Sequence, residues 1–205
     1  MPALTSLLLA SSNSGKLAEF QSLAETLSLD GRVNLALIPH IASLPPFEES
    51  APTFGENGAG KASHYSRFVD LPVLADDSGL VIPALGGAPG VQSARYAGPD
   101  ASDSGKIKKL LSEMRGKKSG ERAARFVCVL AVAKRGRVLT VVSDFVEGTL
   151  LEAPRGTSGF GYDPIFYVPG LGKTFAELTR EEKNRLSHRG KAFRKLLEAY
   201  SANPK

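Results

Sequence analysis

The chain has 205 residues, of which 42% are hydrophobic and 23% are charged. These values are ordinary for a globular protein and exclude a largely disordered chain, and the length fits one domain, with or without two lobes. The formal net charge of +5 suits an anionic ligand, a class that includes nucleic acid. A single cysteine, Cys128, excludes an intramolecular disulfide framework and a cysteine-based zinc site.

The hydropathy pattern does not predict a membrane protein. No stretch approaches the roughly 20 apolar residues of a membrane-spanning helix. The apolar run at residues 7–10 lacks a basic flank and is too short for the core of a signal peptide. The expected location is therefore the cytoplasm, with no membrane partner.

The first third of the chain predicts two strands and two helices. Residues 4–10 read as a short buried strand, and a polar turn at residues 11–16 leads into a helix with apolar residues at helical spacing. Residues 33–38 predict a second strand. After a proline-rich acidic loop, residues 53–69 predict a helix that is weakened by glycines.

The remainder predicts a mixed α/β architecture, in which a central sheet is flanked by helices. The predicted elements are a strand at 71–75, an amphipathic helix around 107–114, a hairpin of strands 126–133 and 138–142, a loop at 157–172, and a C-terminal helical region. Thr179 and Glu182 form a capping box that opens this last region, and a helix break is expected at residues 187–190.

The turn at residues 11–16 has the features of an anion site. Backbone N–H groups at a helix N-terminus attract anions, small residues let a phosphate approach, and Lys16 adds a positive charge. The alternative is an ordinary helix start with Asn13 or Ser14 as the N-cap.

Asp76 and Asp77 follow an apolar strand, where ligands are usually met in α/β sheets. Adjacent strand residues point to opposite faces, so the two aspartates should have different roles, one facing ligand and one anchoring structure. One reaction that such carboxylates can serve is hydrolysis of a phosphate anhydride, which needs a metal held by carboxylates and a deprotonated water. The candidate partners of the aspartates at such a site are Glu48, Glu49 and Glu56. The alternative is a turn with side-chain hydrogen bonds for the aspartates and a solvated loop for the glutamates.

A basic cluster lies near the predicted break in the C-terminal helical region. Lys183 and His188 would point apart on an unbroken helix, because each residue turns about 100°. A break would let these two side chains converge on one ligand, and Arg189 and Lys191 belong to the same cluster. The alternative is a solvated basic face.

Seven short segments are informative when they are taken together and in order: Ala10-Ser11-Ser12-Asn13-Ser14-Gly15-Lys16, Thr53-Phe54-Gly55-Glu56-Asn57, Ala75-Asp76-Asp77-Ser78-Gly79-Leu80, Gly86-Gly87-Ala88-Pro89-Gly90, Ser93-Ala94-Arg95-Tyr96, Gly159-Phe160-Gly161-Tyr162-Asp163-Pro164 and Ser187-His188-Arg189-Gly190. Through these segments the chain resembles the inosine triphosphate pyrophosphatase family over nearly its whole length.

The resemblance implies an Mg²⁺-dependent hydrolase that converts ITP, dITP and XTP to the monophosphate and pyrophosphate by attack of water, cleansing the nucleotide pool. It implies one domain over residues 1–205 with two lobes around a nucleotide-binding cleft, and a homodimer. Asp77 would be the general base and a metal ligand, with Glu49 as the second carboxylate. The residues implied to hold phosphates or sugar are Ser11, Ser12, Asn13, Ser14, Gly15, Lys16 and Ser78.

The resemblance also implies how the base is held. The residues implied to surround the base are Phe160, Gly161, Tyr162 and Asp163. The 6-oxo group of the purine would be recognised by Lys183, His188 and Arg189. One departure concerns the phosphate turn, where the family commonly has threonine then glycine and this chain has Ser11-Ser12. If position 12 needs a positive φ, Ser12 adopts that conformation less readily than glycine does, and the turn would hold phosphate less well.

Two other functions remain open on the sequence. One is a related pyrophosphatase for pyrimidine or modified nucleotides, which rates across different bases would distinguish. The other is a nucleic-acid-binding module, suggested by the positive charge. It would need no metal and would lose affinity steeply with salt, and the chain lacks the interleaved aromatic and basic runs of single-strand binders. No nucleic-acid partner is therefore expected.

Overall fold

The structure is a computed structural model that describes residues 5–11, 14–27 and 33–202. Its strands and α-helices, in chain order, are β1 (Thr5–Leu9), α1 (Ser14–Thr26), β2 (Val33–Leu37), α2 (Phe54–Tyr65), β3 (Val73–Val81), α3 (Asp103–Glu113), β4 (Ala123–Lys134), β5 (Arg137–Leu150), β6 (Phe166–Val168), β7 (Lys173–Thr174), α4 (Arg180–Leu186) and α5 (His188–Ala202).

The strands form a mixed seven-stranded sheet in the order β2-β1-β3-β4-β5-β6-β7. β1 pairs in parallel with β2 and β3, whereas β6 pairs antiparallel with β5 and β7. The predicted class, a mixed sheet flanked by helices, is confirmed. The predicted hairpin is also present, and its two-residue turn has positive φ at Arg135 and Gly136 (51° and 79°), as a tight turn between twisted strands requires.

Local side-chain hydrogen bonds set the helix ends that the sequence predicts. Thr53 caps α2 by accepting from the N–H of Glu56. Thr179 and Glu182 form the reciprocal capping box of α4. Ser187 is extended and ends α4, and α5 begins at the next residue, so the predicted helix break is confirmed.

The structure corrects two of the predicted boundaries and one predicted loop. β3 does not end before the two aspartates but runs through them to Val81, because Leu80 beyond them is fully buried and continues the strand. The aspartates are therefore strand residues, and the turn alternative is wrong. α2 ends at Tyr65 rather than at residue 69. The predicted loop at 157–172 contains β6, whose three residues are too few to show a period in the sequence.

The chain divides into two compact units. The first comprises Met1–Asp77, Cys128–Asp144 and Arg189–Lys205. Within it, α1 and α5 bury one apolar cluster and α2 buries another. The first cluster includes Leu7, Leu9, Phe20, Leu74 and Phe193, and the second includes Leu8, Ala62, Tyr65, Val73 and Ala131.

The second unit comprises Ser78–Val127 and Phe145–His188. Its core contains the close aromatic group Phe126, Phe166 and Phe175, together with Leu80 and Ile82. Burying such side chains contributes roughly 1.5–3 kcal/mol each. No helix among the described residues is long and apolar enough to cross a membrane.

Candidate active site

Asp77 is the centre of a carboxylate cluster in the first unit. Its side chain is 7% exposed, and its Oδ2 is buried without a hydrogen-bond partner in the part of the chain that the structure describes. Burial, followed by the nearby charge of Glu49, raises the pKa of Asp77 from its ordinary value of 3.8 to about 6, although Lys61 opposes the shift. A buried oxygen that accepts no hydrogen bond is costly unless a ligand completes it.

Lys61 connects this cluster to the loop before α2, and the sequence analysis missed it. Its Nζ donates to Glu49 Oε1 at 2.5 Å and to the carbonyl oxygen of Asp76 at 2.9 Å. Asn57, one helical turn earlier on the same buried face, holds the backbone of Ala51 through both ends of its amide. The i, i+4 spacing of Asn57 and Lys61 on a helix with few apolar residues is the signal that could have revealed them.

Asp76 points the other way and binds cations. It is 2% exposed and forms ion pairs with Lys16 Nζ and Arg189 Nη2, each at 3.0 Å. Cys128, one strand away, donates its thiol to Asp76 Oδ1. The expectation that the two adjacent aspartates face opposite ways is confirmed, with Asp76 as the anchor and Asp77 as the carboxylate with an unpartnered oxygen.

Arg189 is buried between carboxylates rather than presented to solvent. Its Nη1 donates to Glu19 Oε2 at 3.0 Å in addition to the bond with Asp76. Burial disfavours the charge of Arg189, but Asp76 and Glu19 outweigh that effect and raise its pKa. The solvated-face alternative is therefore wrong for Arg189, which belongs to the first unit.

The predicted phosphate turn is partly described. β1 ends at Leu9 and α1 begins at Ser14, so the predicted strand before this segment and the predicted helix after it are confirmed. Ser11 donates its N–H to the carbonyl of Leu9, and Gly15 and Lys16 lie in the first turn of α1. Ser12 and Asn13 lie outside the described residues, as does the side chain of Ser14. Ser78 follows Asp77 in β3 and is half-buried.

A second cluster is built on residues 159–163 of the second unit, which we call the 159–163 turn. Asp163 is 3% exposed, forms a short ion pair with Lys183 and accepts the N–H of Phe160 at 2.9 Å. The Lys183 ammonium lies 4.8 Å from the centre of the Phe160 ring, which is half exposed. Gly159 has φ 79°, and a Cβ there would overlap the Asp163 carboxylate. An exposed aromatic face beside a fixed ammonium suits a planar, polar ligand.

Tyr162 and His188 are core residues of the second unit. The Tyr162 ring is buried and its hydroxyl donates to the carbonyl of Ser93 at 3.0 Å, so its backbone is the part left to contact a ligand. His188 is 5% exposed and stacks on Phe126 with ring centres 4.8 Å apart. The solvated-face alternative is therefore wrong for His188 as well.

The carboxylates of the first unit fit a divalent cation. Mg²⁺ is usually held by one or two carboxylates and takes its other oxygens from water and substrate phosphates. Asp77 offers a buried oxygen without a partner, and Glu49 is close enough to raise its pKa. Among the described residues there is no group of three or more His, Cys, Asp or Glu side chains that could hold a metal ion.

Known proteins resemble this chain over nearly its whole length. The model of the Ham1 family matches residues 7–199. A dITP/XTP pyrophosphatase of Geobacillus kaustophilus is 48% identical over 194 residues, which are 95% of this chain and 93% of the relative. A dITP/XTP pyrophosphatase of Thermus thermophilus is 50% identical over 196 residues, 96% of this chain and 92% of the relative.

A solved structure of a HAM1 protein from Coxiella burnetii is 42% identical and superposes with a TM-score of 0.85, covering 98% of this chain and 100% of that chain. The match of sequence and of fold therefore extends across both units. The chain belongs to the Ham1 family.

Proposed function

We propose that this chain hydrolyses the deaminated purine nucleoside triphosphates ITP, dITP and XTP to the monophosphate and pyrophosphate, cleansing the nucleotide pool. Two relatives that are about half identical carry the name dITP/XTP pyrophosphatase. The observation in the structure that carries the proposal is Asp77, a buried carboxylate with a raised pKa and an oxygen that no described group satisfies. Perturbed carboxylates of this kind are typical of catalytic sites.

Asp77 acts as the general base in this proposal. Water attacks a phosphorus of the α–β anhydride, its proton passes to the Asp77 carboxylate, and the bond to pyrophosphate breaks. Even with the pKa raised to about 6 by burial, the Asp77 carboxylate is mostly deprotonated at neutral pH and can accept this proton. Asp77 and Glu49 would hold Mg²⁺, which, when bound, neutralises phosphate charge and lowers the pKa of a coordinated water.

Lys16 supports the phosphates from the start of α1. Its side chain is 30% exposed and is oriented by Asp76, so its ammonium is fixed but still accessible to a ligand. Phosphate recognition by an ammonium beside helix N–H groups is a common arrangement. We assign Ser11, Gly15 and Ser78 to the same phosphate and sugar contacts, together with Ser12, Asn13 and Ser14.

The 159–163 turn and Lys183 bind the base. The half-exposed Phe160 ring offers a stacking surface, and Lys183 offers donors beside it. A donor directed at purine position 6 favours a carbonyl oxygen over an amino group, because two donors facing each other in a desolvated site leave both unsatisfied. We assign His188 and Arg189 a supporting role in recognition of the 6-oxo group, because both side chains are buried and oriented by neighbouring side chains.

We further infer that the enzyme acts in the cytoplasm, where the nucleotide pool lies, and as a homodimer. The dimer is supported by exposed apolar side chains on one face of β5 in the first unit, Leu139 and Val141. Neighbouring exposed apolar side chains that form a contiguous patch are typical of a protein–protein contact surface.

Product analysis tests the proposal. The purified protein is incubated with Mg²⁺ and each of ITP, XTP, ATP, GTP and UTP, and the products are separated by anion exchange. Monophosphate and pyrophosphate, formed much faster from ITP and XTP, are expected. Release of orthophosphate and a nucleoside diphosphate would show that the enzyme cleaves the β–γ bond and not the α–β bond. Faster turnover of UTP would favour the pyrimidine alternative.

A further inference from the structure

The 159–163 turn is held by a second carboxylate that comes from helix α3. Asp103, the first residue of α3, accepts the backbone N–H of Gly161 on its Oδ2 at 2.6 Å. Its Oδ1 pairs with Lys106 Nζ at 2.6 Å, one turn along the same helix. Both oxygens of Asp103 are therefore engaged, and Lys106 fixes the direction in which Oδ2 points.

The segment that leads into the turn is open to solvent. Residues 152–160 are exposed. A cavity of about 860 Å³ lies in the second unit, and its lining includes Asp103, Phe160 and Gly161. A segment over a cavity has few packing contacts and opens easily unless hydrogen bonds restrain it. The bond from Gly161 to Asp103 joins two residues of this lining.

Two carboxylates thus restrain two successive amides of the turn. Asp163 accepts the N–H of Phe160 at 2.9 Å, and Asp103 accepts the N–H of Gly161. Fixing both peptide planes fixes the backbone on either side of the Phe160 Cα, and so the direction of the Cα–Cβ bond that carries the ring beside Lys183. Hydrogen bonds from an N–H to a charged carboxylate are about twice as strong as neutral ones.

We infer that Asp103 is a positioning residue that sets the Phe160 ring for the purine and so tunes affinity and base discrimination, without taking part in the hydrolytic step. This inference rests on the proposed function of the 159–163 turn. Asp103 lies on α3 in the second unit, whereas Asp77 belongs to the first unit. Loss of the Asp103 contact should therefore alter KM and selectivity and leave kcat nearly unchanged.

Hydrogen exchange tests the contact independently of activity. In Asp103→Ala, amides of residues 159–162 should exchange about tenfold faster or more, as expected when a hydrogen bond to a charged group is lost. Asp103→Asn keeps an acceptor and should recover part of the protection. Lys108→Ala is the matched control, since Lys108 is an exposed residue of the same helix and cavity lining whose side chain forms no hydrogen bond or ion pair with the described residues. Unchanged exchange in Asp103→Ala would overturn the inference.

Kinetics then test the consequence. We expect Asp103→Ala to raise KM for ITP about fivefold or more and to lower the preference for ITP over GTP, with kcat within about twofold of wild type, the pattern of lost binding rather than lost chemistry. Asp103→Asn should regain much of both values, and it serves as the test if Asp103→Ala does not fold. Faster exchange with unchanged KM and selectivity would also overturn the inference. If wild type hydrolyses no nucleotide, the proposed function fails, while the exchange result still decides whether the contact exists.

Discussion

Lys61 holds Glu49 beside strand β3: its Nζ lies 2.5 Å from Glu49 Oε1, and the Lys61 side chain is only 11% exposed. The same ammonium donates to the backbone of Asp76. Glu49 comes from a loop without regular structure, so this one cation ties the loop carboxylate to the strand that carries Asp77.

We expect Lys61→Ala to lower kcat/KM for ITP by about a hundredfold, because truncating one partner of a largely buried charge pair costs roughly 2–5 kcal/mol and releases Glu49. The concentration of Mg²⁺ needed for half-maximal rate should rise as well. Lys195→Ala is the control, since it removes an ion pair with Asp144 from a lysine that is half exposed. If both variants have equal activity, Lys61 has no role in placing Glu49.

Asp77→Asn should nearly abolish turnover with the fold intact, because the amide cannot accept the proton from water and is a poor ligand for a hard cation. The measurement is kcat together with the circular dichroism spectrum. A second readout is the melting temperature with and without Mg²⁺, which should rise with the ion in wild type and not in the variant, since a ligand that binds the native state stabilises it. Retained activity would contradict the assignment of Asp77 as the base.

The pH dependence of stability follows from the raised pKa of Asp77. Below its unfolded pKa of 3.8 the group is neutral in both states. As pH rises from 3.8 to about 6, the unfolded chain loses this proton first, so the native state is progressively destabilised; above about 6 the penalty is constant. From the shift, the penalty is about 3 kcal/mol at most. In the absence of metal, Asp77→Asn should therefore be more stable than wild type at pH 8 in urea unfolding, with the difference shrinking at pH 4. A constant difference across this range would show that the charge of Asp77 is not the cause.

Asp76→Asn should have the opposite effect on stability. Its carboxylate is 2% exposed and compensates Lys16 and Arg189, and Arg189 is itself 5% exposed. Removing one partner of a buried ion pair typically costs about 3–5 kcal/mol, because the other charge stays buried without full compensation. Urea unfolding at pH 7 without metal should show a loss of this order. If Asp77→Asn raises the free energy of unfolding and Asp76→Asn lowers it, the two adjacent aspartates of β3 have different roles.

Gly159→Ala should disrupt the base cluster. The glycine has φ 79°, and an added Cβ would strike the Asp163 carboxylate that holds Lys183 and the N–H of Phe160. We expect KM for ITP to rise about tenfold or more and ITP preference over GTP to fall, because the donor and the ring lose their fixed geometry. Gly170→Ala is the matched control, since a Cβ there meets nothing within 4 Å and φ is not positive. Unchanged kinetics in Gly159→Ala would mean that this geometry does not govern binding.

The sequence by itself determined the local features of this protein. Caps such as Thr179 with Glu182, the helix break at Ser187 and the apolar strand β4 depend on neighbouring residues and on hydrophobic period, which can be read from the chain. Opposite roles for Asp76 and Asp77 also follow from local geometry, because successive strand residues face opposite sides of a sheet. The order of short motifs was enough to suggest the family.

Only the tertiary structure decided which of these residues meet. Three contacts join residues that are distant in the chain: Lys61 with Glu49 (12 positions apart), Arg189 with Glu19 (170) and Asp103 with Gly161 (58). No local pattern in the sequence encodes such pairs. The extension of β3 through two aspartates likewise depends on partners, since a buried carboxylate in a strand is tolerated only where cations or a ligand compensate it. Side-chain burial, which raises the pKa of Asp77 and places Tyr162 in the core, arises from packing of the whole chain, and the sequence read locally does not contain it.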